Sequence, residues 1–481
     1  MFLPMNKKLS ISVVSVQIAS LILDICAFIL GHVVTSRLVN LPNDAYVNPY
    51  AITYILGVCV IAAFCFSGQY NRRIPWWNRI QFSVKIVAMA LCVEIIARSS
   101  IANDFTPLYS LIYWTGSLCI LMTLRAALYL VKRKIPGWKV PVAIIGDVGT
   151  VTDILYAISG DLGIGYDPQY ALIRDKESNV LNYDDIPPLY KDISFLDGQV
   201  DYSQFIKDHP DFHYIISMDT FRGEKRDRLL RLLKDNSIKF SLVPMISQIS
   251  LHQAQPLYFF GNDVMLLETK TRKLSLHQRM IQRSVDIIGA VCGLLVFFIP
   301  MIVIMLRLKI ENPNEPVFYG GRRVGRNGKT FRCWKFRTME SNSDHLLTKY
   351  LQDNPEEQAY WDKYFKLPND PRVKTKTTRF IRKTSMDELP QLWNVLISDM
   401  SIVGPRPILS NEIEAYGASI KDYTMLKPGI TGLWQVSGRS ETTFERRVIW
   451  DSWYIRNWSF WGDMVIIIKT IMVVLNRKGA V

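Results

Sequence analysis

Four long apolar runs, at about residues 11–34, 50–68, 82–99 and 107–131, constrain this chain more than any other feature. Each is close to the ~20 residues an α-helix needs to cross the hydrocarbon of a bilayer. In lipid every backbone polar group has to be satisfied within its own segment, so helices are the expected outcome. Lys7 and Lys8 precede the first run, Arg72, Arg73 and Arg79 separate the second from the third, and Lys132, Arg133 and Lys134 follow the fourth. The remaining two loops carry little positive charge beyond Arg37 and Arg98. Positive charge marks the cytoplasmic side, which places both ends of this unit there. Lys85, Glu94 and Arg125 fall within the runs or near their ends. Snorkelling and pairing between helices are the ordinary fates of such groups, and a proton relay is the functional alternative. The first run has membrane length and lacks a small-residue cleavage site, so no cleaved signal is expected.

At 481 residues the chain has room for two or three domains with real cores. Its mean hydropathy of +0.10 is high for a protein with 21 % charged residues, because apolar runs gather at the N-terminus and charge downstream. A net charge of +14 fits anionic lipid headgroups, phosphorylated substrates or nucleic acid. Nucleic acid ranks last: the basic residues cluster beside membrane-length runs, and no recognition-helix, finger or aromatic-basic RNA motif is present. Six of the seven cysteines sit in apolar stretches, Cys333 being the exception, and none has metal-ligand spacing. They read as packing thiols.

Beyond Pro136 the pattern alternates. Val140–Gly146 is an apolar β-type run, followed by the turn Gly146-Asp147-Val148-Gly149 and a helical stretch near Thr150–Ser159. Tyr170–Arg174, His213–Ser217 and Ile238–Pro244 are further strand candidates, and Phe221–Asp235 is a charged amphipathic helix. Such alternation predicts a small doubly wound, Rossmann-like domain. Its glycine turn lacks the G-x-G-x-x-G spacing, so a structural or regulatory role is favoured over cofactor binding.

Ile287–Leu306 is uncharged and long enough to span a bilayer. Yet Arg279 and Arg283 precede it and Arg307 and Lys309 follow, so charge gives no orientation. Pro300 removes a helical hydrogen bond within the run and favours a bend. A re-entrant helix, entering one leaflet and returning, keeps both flanks cytoplasmic, and is preferred to an ordinary span.

From Pro316 onward the motifs are dense. Gly320–Lys329 reads as a basic hairpin with an Asn327-Gly328 turn, leading to an alternating strand, Trp334–Met339, with Lys335 and Arg337. A solvated edge strand is the plain reading of either. Residues 341–366 look helical and surface-lying. In Arg379–Pro407, the adjacent carboxylates Asp387 and Glu388 stand just before Pro390, which suits the first turn of a helix. Leu392, Trp393, Leu396 and Ile397 give that helix an apolar face. Its N-terminus would favour an ionised Asp and a nearby diphosphate. Arg382, Lys383 and Arg406 flank the pair. A carboxylate nucleophile, a carboxylate for a metal and cations for phosphate oxygens form a kit for phosphoryl transfer. A capping box, Ser385-Met386-Asp387-Glu388, is the structural alternative, which Pro390 disfavours. Asp463–Leu475 is apolar but short for a span, and suits either the membrane interface or the domain core.

Over about residues 275–481 the sequence resembles the polyprenyl-phosphate hexose-1-phosphate transferases, the monotopic phosphoglycosyl transferases that begin bacterial glycan assembly. The resemblance rests on Arg323–Lys329, Lys335-Phe336-Arg337, Asp387-Glu388-Leu389-Pro390, Val403-Gly404-Pro405-Arg406-Pro407 and Lys427–Arg439. The four-span unit with a Rossmann-like domain resembles the large bacterial form. Within the family the chain looks most like undecaprenyl-phosphate galactose phosphotransferases, notably across Trp434–Trp461. It departs at Ile299, where many members have Ser before the proline.

The resemblance implies a membrane α-helical bundle (1–135), an α/β Rossmann-like cytoplasmic domain (136–270) and a monotopic α/β phosphoglycosyl transferase catalytic domain with a re-entrant membrane helix (271–481) hinged at Pro300. Asp387 would attack the sugar-bearing phosphate of a UDP-hexose, probed first as UDP-galactose, and undecaprenyl phosphate would take the sugar phosphate from it. Glu388, beside Asp387, would hold Mg²⁺, and Lys335, Arg382 and Arg406 would neutralise phosphate oxygens. Arg439 and Asp451 are weaker candidates for the nucleotide or sugar end. The partners implied are UDP-hexose, undecaprenyl phosphate, the bilayer and a second copy of the chain. The location implied is the bacterial inner membrane, with catalysis on its cytoplasmic face in O-antigen, capsule or exopolysaccharide synthesis. UDP-glucose is the alternative donor, and a non-catalytic membrane scaffold the alternative class.

Overall fold

The computed structural model describes residues 7–39, 50–101, 107–132, 134–173, 188–190, 193–197, 201–218, 224–244, 255–258, 265–268, 275–339, 344–358, 367, 372–373, 375–437 and 444–475. The chain divides into two compact units, residues 1–245 and 246–481.

In the first unit the four apolar runs are helices: α1 (Lys7–Leu38), α2 (Ala51–Phe66), α3 (Trp76–Ile101) and α4 (Leu108–Lys132). Three have the length and composition of a span, while α2, at 16 residues, is shorter. Phe64, Tyr109, Trp114 and Leu121 fill the core between the helices, and Ile18, Ile55, Val58 and Ile96 lie exposed outside it. The ionisable groups Asp24 and Arg125 pair across helices, and Glu94 pairs with Arg98 within α3. Arg125 bonds both carboxylate oxygens of Asp24 and donates to Ser83, and Glu94 accepts from Arg98 at 2.7 Å, from Thr53 and from the Trp114 indole. A charge taken into an apolar interior needs such a partner. Lys85 is exposed.

The α/β part is a parallel sheet of β1 (Val140–Gly146), β2 (Tyr166–Ile173), β3 (Ser194–Asp197), β4 (His213–Ser217) and β5 (Phe240–Val243), in the order β3-β2-β1-β4-β5. Alternation along β1 sends Val142 and Ile144 towards α5 (Val148–Ser159). Ala143 and Ile145 go to the opposite face, with α6 (Tyr202–Asp208) and α7 (Glu224–Asp235). The order reverses between β1 and β4, as in doubly wound folds. At the N-terminus of α5, where a bound diphosphate would sit, the Asp147 carboxylate takes the Thr150 N–H at 2.9 Å and the Thr150 hydroxyl at 2.7 Å. That acidic cap occupies the anion position, which favours the structural reading of the glycine turn. The loop between α2 and α3 is fastened to this sheet. Arg73 donates to the carbonyls of Ile164, Gly165 and Trp138 at 2.8–3.1 Å, and its guanidinium stands 4.8 Å from the Trp138 ring centroid.

The second unit begins with a hairpin, β6 (Gln255–Tyr258) and β7 (Met265–Glu268), and then α8 (Leu276–Glu311). α8 is one 36-residue helix with Pro300 inside it, capped by a reciprocal Ser275–Gln278 box. Its partners run along the unit from end to end. Arg283 donates to the Val395 and Leu396 carbonyls at 2.7 and 2.8 Å, Asp286 accepts from Ser401 and the Ile402 N–H, and Gly293 leaves room for Leu392. Beyond Pro300, Ile304 and Leu308 pack with Phe336 and Ile381, and Glu311 accepts from Thr377 at 2.5 Å. The opposite face, including Leu295, Val296, Phe298 and Ile299, is 62–73 % exposed.

The basic hairpin forms as its turn dictates: β8 (Phe318–Val324) pairs antiparallel with β9 (Thr330–Phe336), and Asn327 and Gly328 both have positive φ. Then come α9 (Asp344–Asp353), α10 (Lys376–Lys383), α11 (Gln391–Leu396), β10 (Ser401–Val403), β11 (Gly429–Thr431), α12 (Phe444–Arg456) and α13 (Phe460–Leu475). The glycines of two motifs meet where β10 and β11 pair in parallel. A Cβ on Gly404 would lie 2.4 Å from the Lys427 carbonyl oxygen and 2.7 Å from the Gly429 nitrogen. α13 is anchored at its start by Asp463, which accepts from Tyr454 and Trp458, while Ile471, Met472 and Leu475 near its end are exposed.

Candidate active site

The carboxylate pair stands on a short 3₁₀ turn, Met386–Glu388, between α10 and α11. Ser385 enters that turn with φ of 56° and makes no side-chain cap bond, so the capping box does not form. A left-handed serine is strained backbone, and here it turns the chain so that two successive carboxylates precede the helix. Pro390 caps α11 with φ of −61°, where its missing N–H leaves nothing unsatisfied. The expected apolar face of α11 divides: Leu392 and Leu396 pack inward with Ala290, Cys333, Val395 and Met400, while Trp393 and Ile397 are about half exposed.

Strand β9 brings the first cation. Lys335 Nζ lies 2.5 Å from Glu388 Oε1. The strand is held in register with α11 by Asn394, whose side chain accepts from the Trp334 N–H at 3.0 Å and donates to the Arg332 carbonyl at 2.7 Å. α10 contributes Arg382 in its last turn. Burial pushes the Asp387 carboxyl up to about 6. Lys335 and Arg382 pull it down, and the Glu388 charge adds to the rise. Among the described residues no cation forms an ion pair with Asp387, whereas Glu388 is held by Lys335.

Arg406 follows β10 and feels the charges of Glu388 and Glu412, which oppose the downward push on its pKa by burial and by Arg447. Its guanidinium and that of Arg447 lie 5.4 and 5.3 Å from the Trp434 ring centroid. Arg447 was not legible as a site residue. It is buried beside Tyr416, Phe444 and Trp434, and its Nη2 has no hydrogen-bond partner among the described residues. The sequence signal was its spacing of four from Asp451 on α12. Asp451 is 2 % exposed, accepts from Tyr416 at 2.8 Å and stands 3.8 Å from Arg447. Its carboxylate is thus held within the core by Tyr416 and Arg447. Arg439 lies outside the described residues.

Lys335, Arg382, Asp387, Glu388 and Arg406 thus act on one another at one place, with Asp451 and Arg447 behind Arg406. Two adjacent carboxylates among three cations suit the binding of a phosphate group. These features define a membrane-associated transferase of phosphorylated groups.

The sequence profile of the family described as "Bacterial sugar transferase" matches residues 277–477. The chain is 34 % identical to the undecaprenyl-phosphate galactose phosphotransferase of Salmonella typhimurium over 443 residues, covering 92 % of this chain and 90 % of that one. It is 34 % identical to the UDP-galactose-lipid carrier transferase of Erwinia amylovora over 413 residues, covering 86 % and 84 %. The UDP-glucose:undecaprenyl-phosphate glucose-1-phosphate transferase of Escherichia coli K12 is also 34 % identical, over 274 residues and 55 % of each chain. The chain belongs to the bacterial sugar transferases.

Proposed function

We propose that this protein transfers hexose-1-phosphate, and in the first instance galactose-1-phosphate, from UDP-hexose to undecaprenyl phosphate. The observation that carries the reading is the division of labour in the pair: Glu388 is engaged by Lys335 at 2.5 Å, while the half-buried Asp387 beside it forms no ion pair among the described residues. An Asp387 carboxylate oxygen attacks the sugar-bearing phosphorus, the bond from that phosphorus to the bridging oxygen breaks, and UMP departs with the oxygen. An oxygen of undecaprenyl phosphate then attacks the same phosphorus, restoring Asp387 and giving undecaprenyl-diphospho-hexose. Lys335, Arg382 and Arg406 neutralise the charge that gathers on the phosphoryl oxygens.

The donor set also fits Mg²⁺, which takes one or two carboxylates and completes its shell with water and substrate phosphate. Among the described residues no group of three or more His, Cys, Asp or Glu could hold a metal, so Glu388 with Asp387 is the pair proposed for it. Bound there it would offset phosphate charge.

Galactose is favoured over glucose because the relatives named for galactose match across nearly the whole chain. The α/β part of the first unit is proposed as a Rossmann-like structural domain. The course of α8 supports a re-entrant reading: both its ends rest on the same unit, and the exposed apolar face between them is left for lipid. Both flanks, and the carboxylate pair with them, would then lie on the cytoplasmic side of the inner membrane.

The test is UMP release from UDP-galactose and UDP-glucose with undecaprenyl phosphate and Mg²⁺. Asp387→Asn is expected to lower turnover by about 10³-fold or more, a removed nucleophile being far costlier than a removed charge. Normal turnover in that variant would overturn the assignment.

A further inference from the structure

We infer that a cavity at the first turns of α8 is a second anion site, built for the phosphate of an anionic lipid headgroup and separate from the carboxylate pair. The cavity has a volume of about 250 Å³ and is lined by Arg279, Arg283 and Asp286 of α8, by Arg326 and Asn327 of the hairpin turn, and by Lys427 ahead of β11. Four cations face a single carboxylate, and that carboxylate is already engaged, accepting from the Ser401 hydroxyl and the Ile402 N–H at 2.8 Å each. The Arg326 Nε is buried without a hydrogen-bond partner among the described residues. Lys427 Nζ donates to the Ser398 hydroxyl at 2.6 Å, which leaves ammonium hydrogens to give. Burial pushes the Lys427 pKa down, the charges of Arg283 and Arg326 push it further, and those of Asp286 and Asp399 oppose them. A buried donor with no acceptor, and four cations lining the cavity against one carboxylate, describe a place that gains by taking an anion.

The hairpin turn is held at this cavity by the Asn327 N–H, which donates to the Thr424 carbonyl at 2.8 Å. None of the lining residues belongs to the catalytic group. Arg283 binds carbonyls at the C-terminal end of α11, whereas Asp387 precedes its N-terminal end. At about 250 Å³ the cavity has room for a headgroup phosphate. Arg279 and Arg283 directly precede the uncharged run Ile287–Leu306, and Met280 and Ile281 beside them are exposed. That is the depth of a phospholipid phosphate, with α8 left to meet its acyl chains. The lipid source rests on α8 lying in the bilayer, and the anion site does not.

The experiment uses full-length protein in a neutral detergent, titrated with dihexanoyl phosphatidylglycerol, dihexanoyl phosphatidylcholine or inorganic phosphate, with the thermal unfolding midpoint as readout. Phosphatidylglycerol is expected to raise the midpoint saturably and phosphatidylcholine to leave it unmoved. The double variant Arg326→Gln, Lys427→Gln should weaken the phosphatidylglycerol affinity by about tenfold or more, the loss of two charge-assisted contacts. Arg279→Gln, at an exposed position, should weaken it less and serves should the double variant not fold. Asp387→Asn should keep the full response, which makes the result independent of the transfer chemistry. Equal responses to the two lipids, or unchanged affinity in the site variants, would overturn the proposal. Stabilisation by inorganic phosphate as strong as by phosphatidylglycerol would overturn the lipid source, and loss of the response in Asp387→Asn would overturn the separation of the sites.

Discussion

Lys335 Nζ and Glu388 Oε1 lie 2.5 Å apart, so the nearest cation is committed to the second carboxylate of the pair. Lys335 nonetheless pulls the Asp387 pKa down more than any other neighbour. Removing it by Lys335→Met is expected to have two effects. Turnover falls by about 10²–10³-fold, as for loss of one charge-stabilising donor. The rising limb of the pH–rate profile, with its midpoint near 6 in the wild type, moves to higher pH, because the ionised Asp387 loses the charge that favours it. A profile of UMP release that stayed in place would refute the coupling.

Asn394 joins β9 to α11 through two bonds to strand backbone, and Lys335 follows Trp334 directly. Asn394→Ala leaves the Trp334 N–H and the Arg332 carbonyl unmatched, at about 2 kcal/mol. Thermal unfolding should report the loss. Turnover is expected to fall with little change in KM, because the substituted residue sets where Lys335 stands and does not touch substrate.

Ser385 tests the strain in the turn. At φ of 56° a glycine carries no steric penalty, so Ser385→Gly should leave stability unchanged or raise it by up to about 1 kcal/mol. Ser385→Val, branched at Cβ, should lower both stability and turnover. Comparable unfolding midpoints for the two variants would show that the turn is not strained.

The site was legible where charge and special backbone residues carry it. Pro390, the Asn327-Gly328 turn and the Asp387-Glu388 pair stand where the sequence places them, because each depends on local chemistry. The β1 and β4 strands and α5 were likewise readable from apolar runs and their breaks, but β3 (Ser194–Asp197), only four residues long, was not. Contacts between distant segments were hidden. Asn394 gives no sign in sequence of which strand it clamps, and Asp451 looks like a ligand group until its burial beside Tyr416 and Arg447 is known. Of the apolar face expected of α11, Leu392 and Leu396 are packed inward and Trp393 and Ile397 are not, a division that depends on which distant segments meet the helix.

Asp463 supplies a stability prediction. Burial pushes its carboxyl from 3.8 up to about 7. The folded chain therefore binds a proton that the unfolded chain releases between those values. The stabilisation is full below about pH 4 and is lost as pH rises through 7. In Asp463→Asn this component disappears, so the unfolding midpoint of the variant should depend less on pH between 5 and 8 than that of the wild type.

The path of α8 gives the last test. A straight helix of 36 residues is about 54 Å long, enough to place its ends on opposite sides of a bilayer. Yet Arg283 near one end and Glu311 at the other are bonded to Val395, Leu396 and Thr377 of one unit. Carrying those partners to opposite faces would draw α10 and α11, with Lys376, Arg379, Arg382 and Lys383, through the hydrocarbon, at a few kcal/mol for each charge. The re-entrant course avoids this. Single cysteines at Ser284 and Lys309, in a chain cleared of its native cysteines, should both react with a membrane-impermeant thiol reagent only when the cytoplasmic face is opened to it. Labelling of one position from each side would make α8 an ordinary span. Pro300→Leu restores the missing backbone donor and removes the ring that opposes a straight helix. It is expected to weaken the accessibility pattern and lower turnover, by loosening the hold of Ile304 and Leu308 on Phe336, the neighbour of Lys335.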